Sequence, residues 1–308
     1  MSTNTVKLGA TLLAAATAAI FALPAMTAAP GRDATVVTIT AVGKKDAAPP
    51  NVNKDDAQLT LGKERKPIAA WTKAERLFLA VLIDDSLDSS VASLFGELKE
   101  FLNSQPATTS VAVFYARNAT AMVVQDFTTD HALAAKALRI PLGGTAALSS
   151  PYLALQDLMK RWPSTGDRRS ILLVSSGIDF FRGDFSTFSP DLDSTIERAQ
   201  KGNINIWSIY SPSSGHRSRS LFRVNNAQSN LSKLSEETGG ETYYLGVSSP
   251  VSFKPYLDEI QLHLKNQYLL AFLGTGGPKG KFTRLRVNTE LPEMEFLAPS
   301  QVFLPPAR

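Results

Sequence analysis

Residues 77–90 read LFLAVLIDDSLDSS, seven apolar residues that run directly into three aspartates and three serines. A continuous apolar run of strand length predicts a strand covered on both faces, as in a parallel sheet flanked by helices. The acidic cluster then falls at the carboxyl end of that strand, where sites gather in open α/β sheets. Aspartate and serine oxygens suit a hard divalent cation. The same residues are good helix N-caps, and a helix dipole favours carboxylates at its start. The stretch therefore predicts a strand-to-helix turn that is either a cation site or a cap.

Working outward, residues 89–104 predict a helix with Val91, Leu94, Phe95, Leu98, Phe101 and Leu102 on one face. TSVAVFYA (109–116) and ATAMVVQDF (119–127) read as strands, and DHALAAKALRI (130–140) as a helix with Asp130 near its start. A Gly-rich entry at 143–145 leads into a helix that ends before Pro163. RRSILLVSSG (168–177) is a second buried strand. DLDSTIERAQKGN (191–203) is helical with Gly202 as its C-terminal cap. A strand at 203–211, a helix at 226–240, a short strand at 241–246 and a helix at 253–267 complete the series. Such alternation predicts a doubly wound, mostly parallel sheet with helices on both faces.

Shorter β segments flank this region. ATVVTITAV (34–42) alternates as a strand should, and Gly62-Lys63 reads as a hairpin turn inside AQLTLGKERKPIAAW (57–71). The tail from 267 to 305 reads as three β runs, expected to pair with the N-terminal segment as a small accessory β module. The N-terminus has Lys7, an apolar run over 8–25 and then small residues, the layout of a cleaved export signal. The expected division is a signal over 1–29, an N-terminal β segment over 30–72, the α/β domain over 73–266 and a C-terminal β segment over 267–308. No second segment is long enough to span a bilayer once the signal is cleaved. The chain has 308 residues, a net charge of +4 and no cysteine. Disulfides, thiolate chemistry and Cys-ligated zinc are excluded. Basic residues form no long run, so nothing points to nucleic acid.

A strand ending in D-x-S-x-S, a threonine loop and a D-G turn after another buried strand are the parts of the metal-ion-dependent adhesion site of von Willebrand factor type A domains. From 77 to about 266 this chain resembles that family, and is most similar to the VWFA-related proteins of Acidobacteria. Asp84 and Ser86 match the first two motif positions, Asp88 stands at the second serine, and Thr145 matches the threonine loop. Ser176 stands where the second aspartate is expected, so the motif is degenerate. The resemblance implies a Rossmann-like fold in an exported, non-catalytic adhesion or scaffold protein. It further implies Mg²⁺ or Ca²⁺ held by Asp84, Ser86, Asp88, Thr145 and Ser176, some through water. An acidic side chain of a protein ligand would complete the coordination. Asp85 and Asp179 are nearby reserves of charge.

Two alternatives stay open, a metal-independent scaffold with a decayed site and a metal-dependent hydrolase. Neither G-x-S-x-G nor H-E-x-x-H occurs, and His131 and His263 fall in helices at unrelated places. GTGGPKGKF (274–282) departs from the phosphate-loop spacing and reads as a β-turn. Arg182-Gly183-Asp184 and HRSRSLFR (216–223) read as surface loops.

Overall fold

The computed structural model describes residues 34–44, 49, 51–73, 75–143, 150–163, 167–180, 189–215 and 220–307. The expected signal (1–29), Thr145 and the 182–184 tripeptide lie outside these residues, as does 216–219 of the arginine-containing loop. No helix among the described residues is long and apolar enough to cross a membrane.

In chain order the strands are β1 (Ala34–Gly43), β2 (Ala57–Leu61), β3 (Glu64–Lys66), β4 (Ala70–Thr72), β5 (Leu77–Asp84), β6 (Thr109–Arg117) and β7 (Thr120–Thr128). They continue as β8 (Arg168–Ser175), β9 (Ile204–Tyr210), β10 (Thr242–Tyr243), β11 (Gln267–Leu273), β12 (Lys281–Thr289), β13 (Met294–Leu297) and β14 (Gln301–Leu304). The α-helices are α1 (Phe95–Asn103), α2 (His131–Lys136), α3 (Pro151–Lys160), α4 (Pro190–Gly202), α5 (Leu221–Glu237) and α6 (Lys254–Lys265).

The central sheet has the order β10-β9-β8-β5-β6-β7, parallel throughout except for β7 at one edge. Every residue of β5 is buried, because its two faces are both covered. Leu79, Val81 and Ile83 pack with Phe95, Leu98 and Leu102 of α1, with α2, and with Ile260 and Leu264 of α6. Phe78, Ala80 and Leu82 face Tyr152 and Leu155 of α3, Ile196 of α4 and Leu231 of α5. Full burial of each such large apolar side chain contributes about 1.5–3 kcal/mol, and the apolar run of β5 is the centre of the domain.

Two four-stranded antiparallel sheets, β13-β1-β11-β4 and β14-β12-β2-β3, form the accessory module. Val37, Ile39, Leu270 and Phe272 of one sheet share a core with Leu59, Leu61, Leu285 and Val302 of the other. β1 and β11, from opposite ends of the chain, pair from Ala34↔Leu273 to Thr40↔Gln267. The hairpin at Gly62 and Lys63 is present, with Leu61 opposite Glu64.

Four details differ from expectation, the first being that α5 already begins at Leu221, so that 221–223, expected in a loop, are helical. The tail forms four strands rather than three, because the second half of the expected run splits at a turn near Ser300. Residues 89–94 form a 3-10 helix before α1 begins, since Asp88 caps a tighter first turn. α4 ends at Gly202, and Asn203 rather than Gly202 is its cap. Asn203 takes the left-handed conformation, φ 51°, and its Oδ1 accepts from the Thr38 amide of β1 at 2.7 Å. A second duty as a cross-sheet acceptor explains why asparagine holds that position.

Candidate functional site at the carboxyl edge of the central sheet

Strand order reverses between β5 and β8, which are neighbours in register from Leu77↔Arg168 to Ile83↔Val174. The chain leaves β5 toward β6 on one side and leaves β8 toward β9 on the other. A crevice at the carboxyl ends of such a pair is the usual ligand position in open α/β sheets.

Asp84 closes β5 and is fully buried. Its Oδ1 accepts from the Ser86 amide at 3.0 Å and the Ser86 hydroxyl at 2.7 Å. Its Oδ2 accepts from the Ser175 hydroxyl of β8 at 2.9 Å. The two strands are thus tied at their ends through one carboxylate. The Gly177 amide donates to Ser175 Oγ at 3.0 Å, and the Ile178 amide to Ser176 Oγ at 3.4 Å. Gly177 sits at φ +68°, and an added Cβ would lie 2.7 Å from both Ala227 O and Leu231 Cγ. Glycine is therefore required where the chain turns off β8 over α5.

Further hydroxyls come from the end of β9. The Ser211 amide donates to Ser175 O, and Ser213 bridges to Leu87. Ser211 Oγ and Ser213 Oγ are buried and make no hydrogen bond among the described residues. On the far side, Tyr152 of α3 donates to Gly177 O at 2.8 Å. Burial first, and then the charges of Asp179 and Asp84, raise this phenol well above its ordinary value, against a lowering hydrogen bond with Asn230. Asp179 is thereby a further carboxylate close to this edge, beside those of the turn after β5.

The expected ligands fare differently. Asp84 and Ser86 are brought together. Ser176 is buried and follows Ser175 in the chain, but the hydroxyl that reaches Asp84 belongs to Ser175. Asp88 accepts from the Ser90 amide at 2.9 Å as the cap of the 3-10 helix. The Ser90 side chain and amide hold its carboxyl below the ordinary range. Asp85 turns to Arg139, whose two guanidinium nitrogens lie 2.8 and 2.9 Å from its two oxygens. The Leu142 amide also donates to Asp85, at 2.9 Å. Burial pushes the Asp85 carboxyl up, but Arg139 and the Leu142 amide outweigh it and hold the group low. Arg139 in turn lies 3.8 Å over the Tyr115 ring. Sequence reading missed Ser175 and Arg139. Neither is marked locally, since Ser175 meets Asp84 only through the pairing of β5 with β8 and Arg139 lies 54 residues from Asp85.

The donors around Asp84 are all oxygens, from one carboxylate and several serine hydroxyls, two of them orphaned. This chemistry fits a hard divalent ion that keeps several waters. Among the described residues Asp84 and Ser86 are brought together in a way that could hold one, with Ser175 already bonded to Asp84 Oδ2. Neither described histidine belongs here. His131 Nε2 lies 2.8 Å from Thr109 O, and His263, on α6, packs against Trp207.

No family model matches the chain, and no curated protein sequence matches it. Several solved structures resemble its arrangement. A von Willebrand factor type A protein from Catenulispora acidiphila is 11% identical with a TM-score of 0.46, covering 91% of this chain and 74% of its own. An aerotolerance-related membrane protein from Bacteroides fragilis is 11% identical with a TM-score of 0.44, over 61% of this chain and 98% of its own. The conserved hypothetical protein BatB from Bacteroides thetaiotaomicron is 14% identical with a TM-score of 0.42, over 62% and 98%. Likenesses this distant concern the path of the chain and say nothing of chemistry.

Proposed function

We propose that this chain is an exported, non-catalytic protein-binding module of the von Willebrand factor A kind, which engages a protein partner at the carboxyl edge of its central sheet. The observation that carries the reading is the fully buried Asp84 at the point of strand reversal, surrounded by serine hydroxyls. Asp84, Ser86 and Ser176, with Thr145 from the threonine loop, would hold Mg²⁺ or Ca²⁺, some through water. The ion would supply an open position for a partner's carboxylate.

The rim of the same edge suits protein contact. Ile140 and Leu142 precede the threonine loop, Leu221 and Phe222 open α5, and Leu245 and Val251 follow β10. All six are exposed, Val251 at 91%. Apolar side chains gathered on the loops of one edge mark an interaction surface. Ile140–Leu142 are held there by Arg139 and by the Leu142 bond to Asp85.

Calorimetric titration of the wild type and Asp84→Ala with Mg²⁺ and Ca²⁺ tests the reading. The expected result is cation binding in the wild type that Asp84→Ala weakens at least tenfold. If the wild type binds neither ion at millimolar concentration, the cation is lost and the rim alone remains. That second reading is favoured by the protein donors already satisfying Asp84. Turnover of ester or phosphoester substrates, abolished by Asp84→Ala, would overturn the non-catalytic assignment. Export predicts a periplasmic or released mature chain in a Gram-negative host, starting between positions 26 and 30 by N-terminal sequencing.

A further inference from the structure

A second group of ligating side chains lies away from the carboxyl edge, where the entry to β10, the last turns of α6 and β13 meet. Glu259 and His263 are four residues apart on α6 and so share one helical face. Glu241 immediately precedes β10 and is fixed by the bond from the Ser208 amide to its carbonyl, 2.9 Å. His263 is 3% exposed and packs on the Trp207 ring, centroids 5.2 Å apart. The ligating atoms of Glu241, Glu259 and His263 all lie within 4.8 Å of one another.

The distances discriminate between an ordinary hydrogen-bonded pair and a ligand set. His263 Nδ1 is 3.5 Å from Glu241 Oε2 and 3.4 Å from the Tyr243 hydroxyl. Both are long for hydrogen bonds. Two ligands about 2.0–2.1 Å from one tetrahedral ion stand about 3.3–3.4 Å apart, close to the 3.5 Å between His263 Nδ1 and Glu241 Oε2.

The surroundings are anionic. A cleft of about 570 Å³ opens onto Glu241 and Glu259, and its lining adds Glu236, Tyr243 and Phe296 but no lysine or arginine. A cation fits among these acidic groups, and the cleft leaves one face of it open.

We propose that Glu241, Glu259 and His263 bind one divalent transition ion of the zinc type, with a coordination position open to the cleft. One imidazole with two carboxylates selects such an ion over Mg²⁺ or Ca²⁺, which prefer oxygen alone. The ion would fasten β10, the short edge strand, to α6. The site does not depend on Asp84 or on the function proposed for it.

The test uses the full chain stripped with chelator and titrated with zinc chloride, read by calorimetry and by the rise in Tm. Wild type and Asp84→Ala should each bind one Zn²⁺, undisturbed by a tenfold excess of Mg²⁺. Glu241→Gln and Glu259→Gln should each weaken binding at least tenfold. Glu259 is exposed, so its variant retains the fold. No Zn²⁺ binding at millimolar concentration overturns the proposal. So does Zn²⁺ binding that both glutamine variants leave unchanged, or that Asp84→Ala abolishes.

Discussion

Asp84 and Asp85 are adjacent, yet one ties β5 to β8 and the other pairs with Arg139 on the segment after α2. Successive side chains of a strand point to opposite faces, so the two carboxylates were bound to part. Asp85 is 3% exposed at its side chain and Arg139 is 35% exposed. Removing the arginine leaves a buried carboxylate without its cation, at a cost of about 2–3 kcal/mol after allowing for the partly exposed guanidinium. Asp85 titrates below its ordinary value when folded. Its contribution is therefore complete above the unfolded pKa, about 3.9, and is lost as pH falls through the lower folded value. Urea unfolding of wild type and Arg139→Ala should show a constant gap from pH 5 to 8 that narrows below about pH 4. Asp84 and Ser86 were legible from seven apolar residues and a spacing. The pairing of Asp85 was not, because Arg139 is 54 residues away and its own neighbours carry no sign of it.

At the scale of elements, α6 shows how a helix can borrow its cap. Its N-cap residue, Phe253, offers no side-chain bond. Glu97 of α1 supplies one instead, accepting from the Phe253 amide at 2.6 Å, the Lys254 amide at 2.8 Å and the Ser252 hydroxyl at 3.0 Å. A carboxylate at a helix N-terminus is favoured both by the orphan amides and by the dipole. Glu97→Ala should cost about 1–2 kcal/mol in chemical denaturation, with Glu97→Gln recovering part of it. Strands and helices themselves were readable because period and cap residues are local. The α6 cap was not, since it joins positions 155–157 residues apart. For a related reason the cap of α4 fell on Asn203, which also serves β1.

For the whole molecule, Arg168 stands where the α/β domain meets the accessory module. Only 6% exposed, it donates to Leu264 O at 2.6 Å, Gln267 Oε1 at 3.1 Å and Glu75 O at 3.3 Å. Those acceptors lie on both passages of the chain between the two parts, from β4 into β5 and from α6 into β11. Burial lowers its guanidinium to about 10, still charged at neutral pH. Arg168→Met should cost about 3 kcal/mol, the worth of charged hydrogen bonds to buried carbonyls. Amide exchange should then quicken in β1 and β11 more than in β5 and β8. The sequence by itself determined the alternation of buried strands and amphipathic helices, and with it the doubly wound sheet and the position of Asp84. Those features arise from periodicity, which acts over a few residues. Only the tertiary structure decided that Ser175 reaches Asp84, that Asp85 pairs with Arg139, and that Glu241 meets Glu259 and His263. Each of these depends on which strand lies beside which helix, and hydrophobic pattern alone leaves that choice of neighbours open.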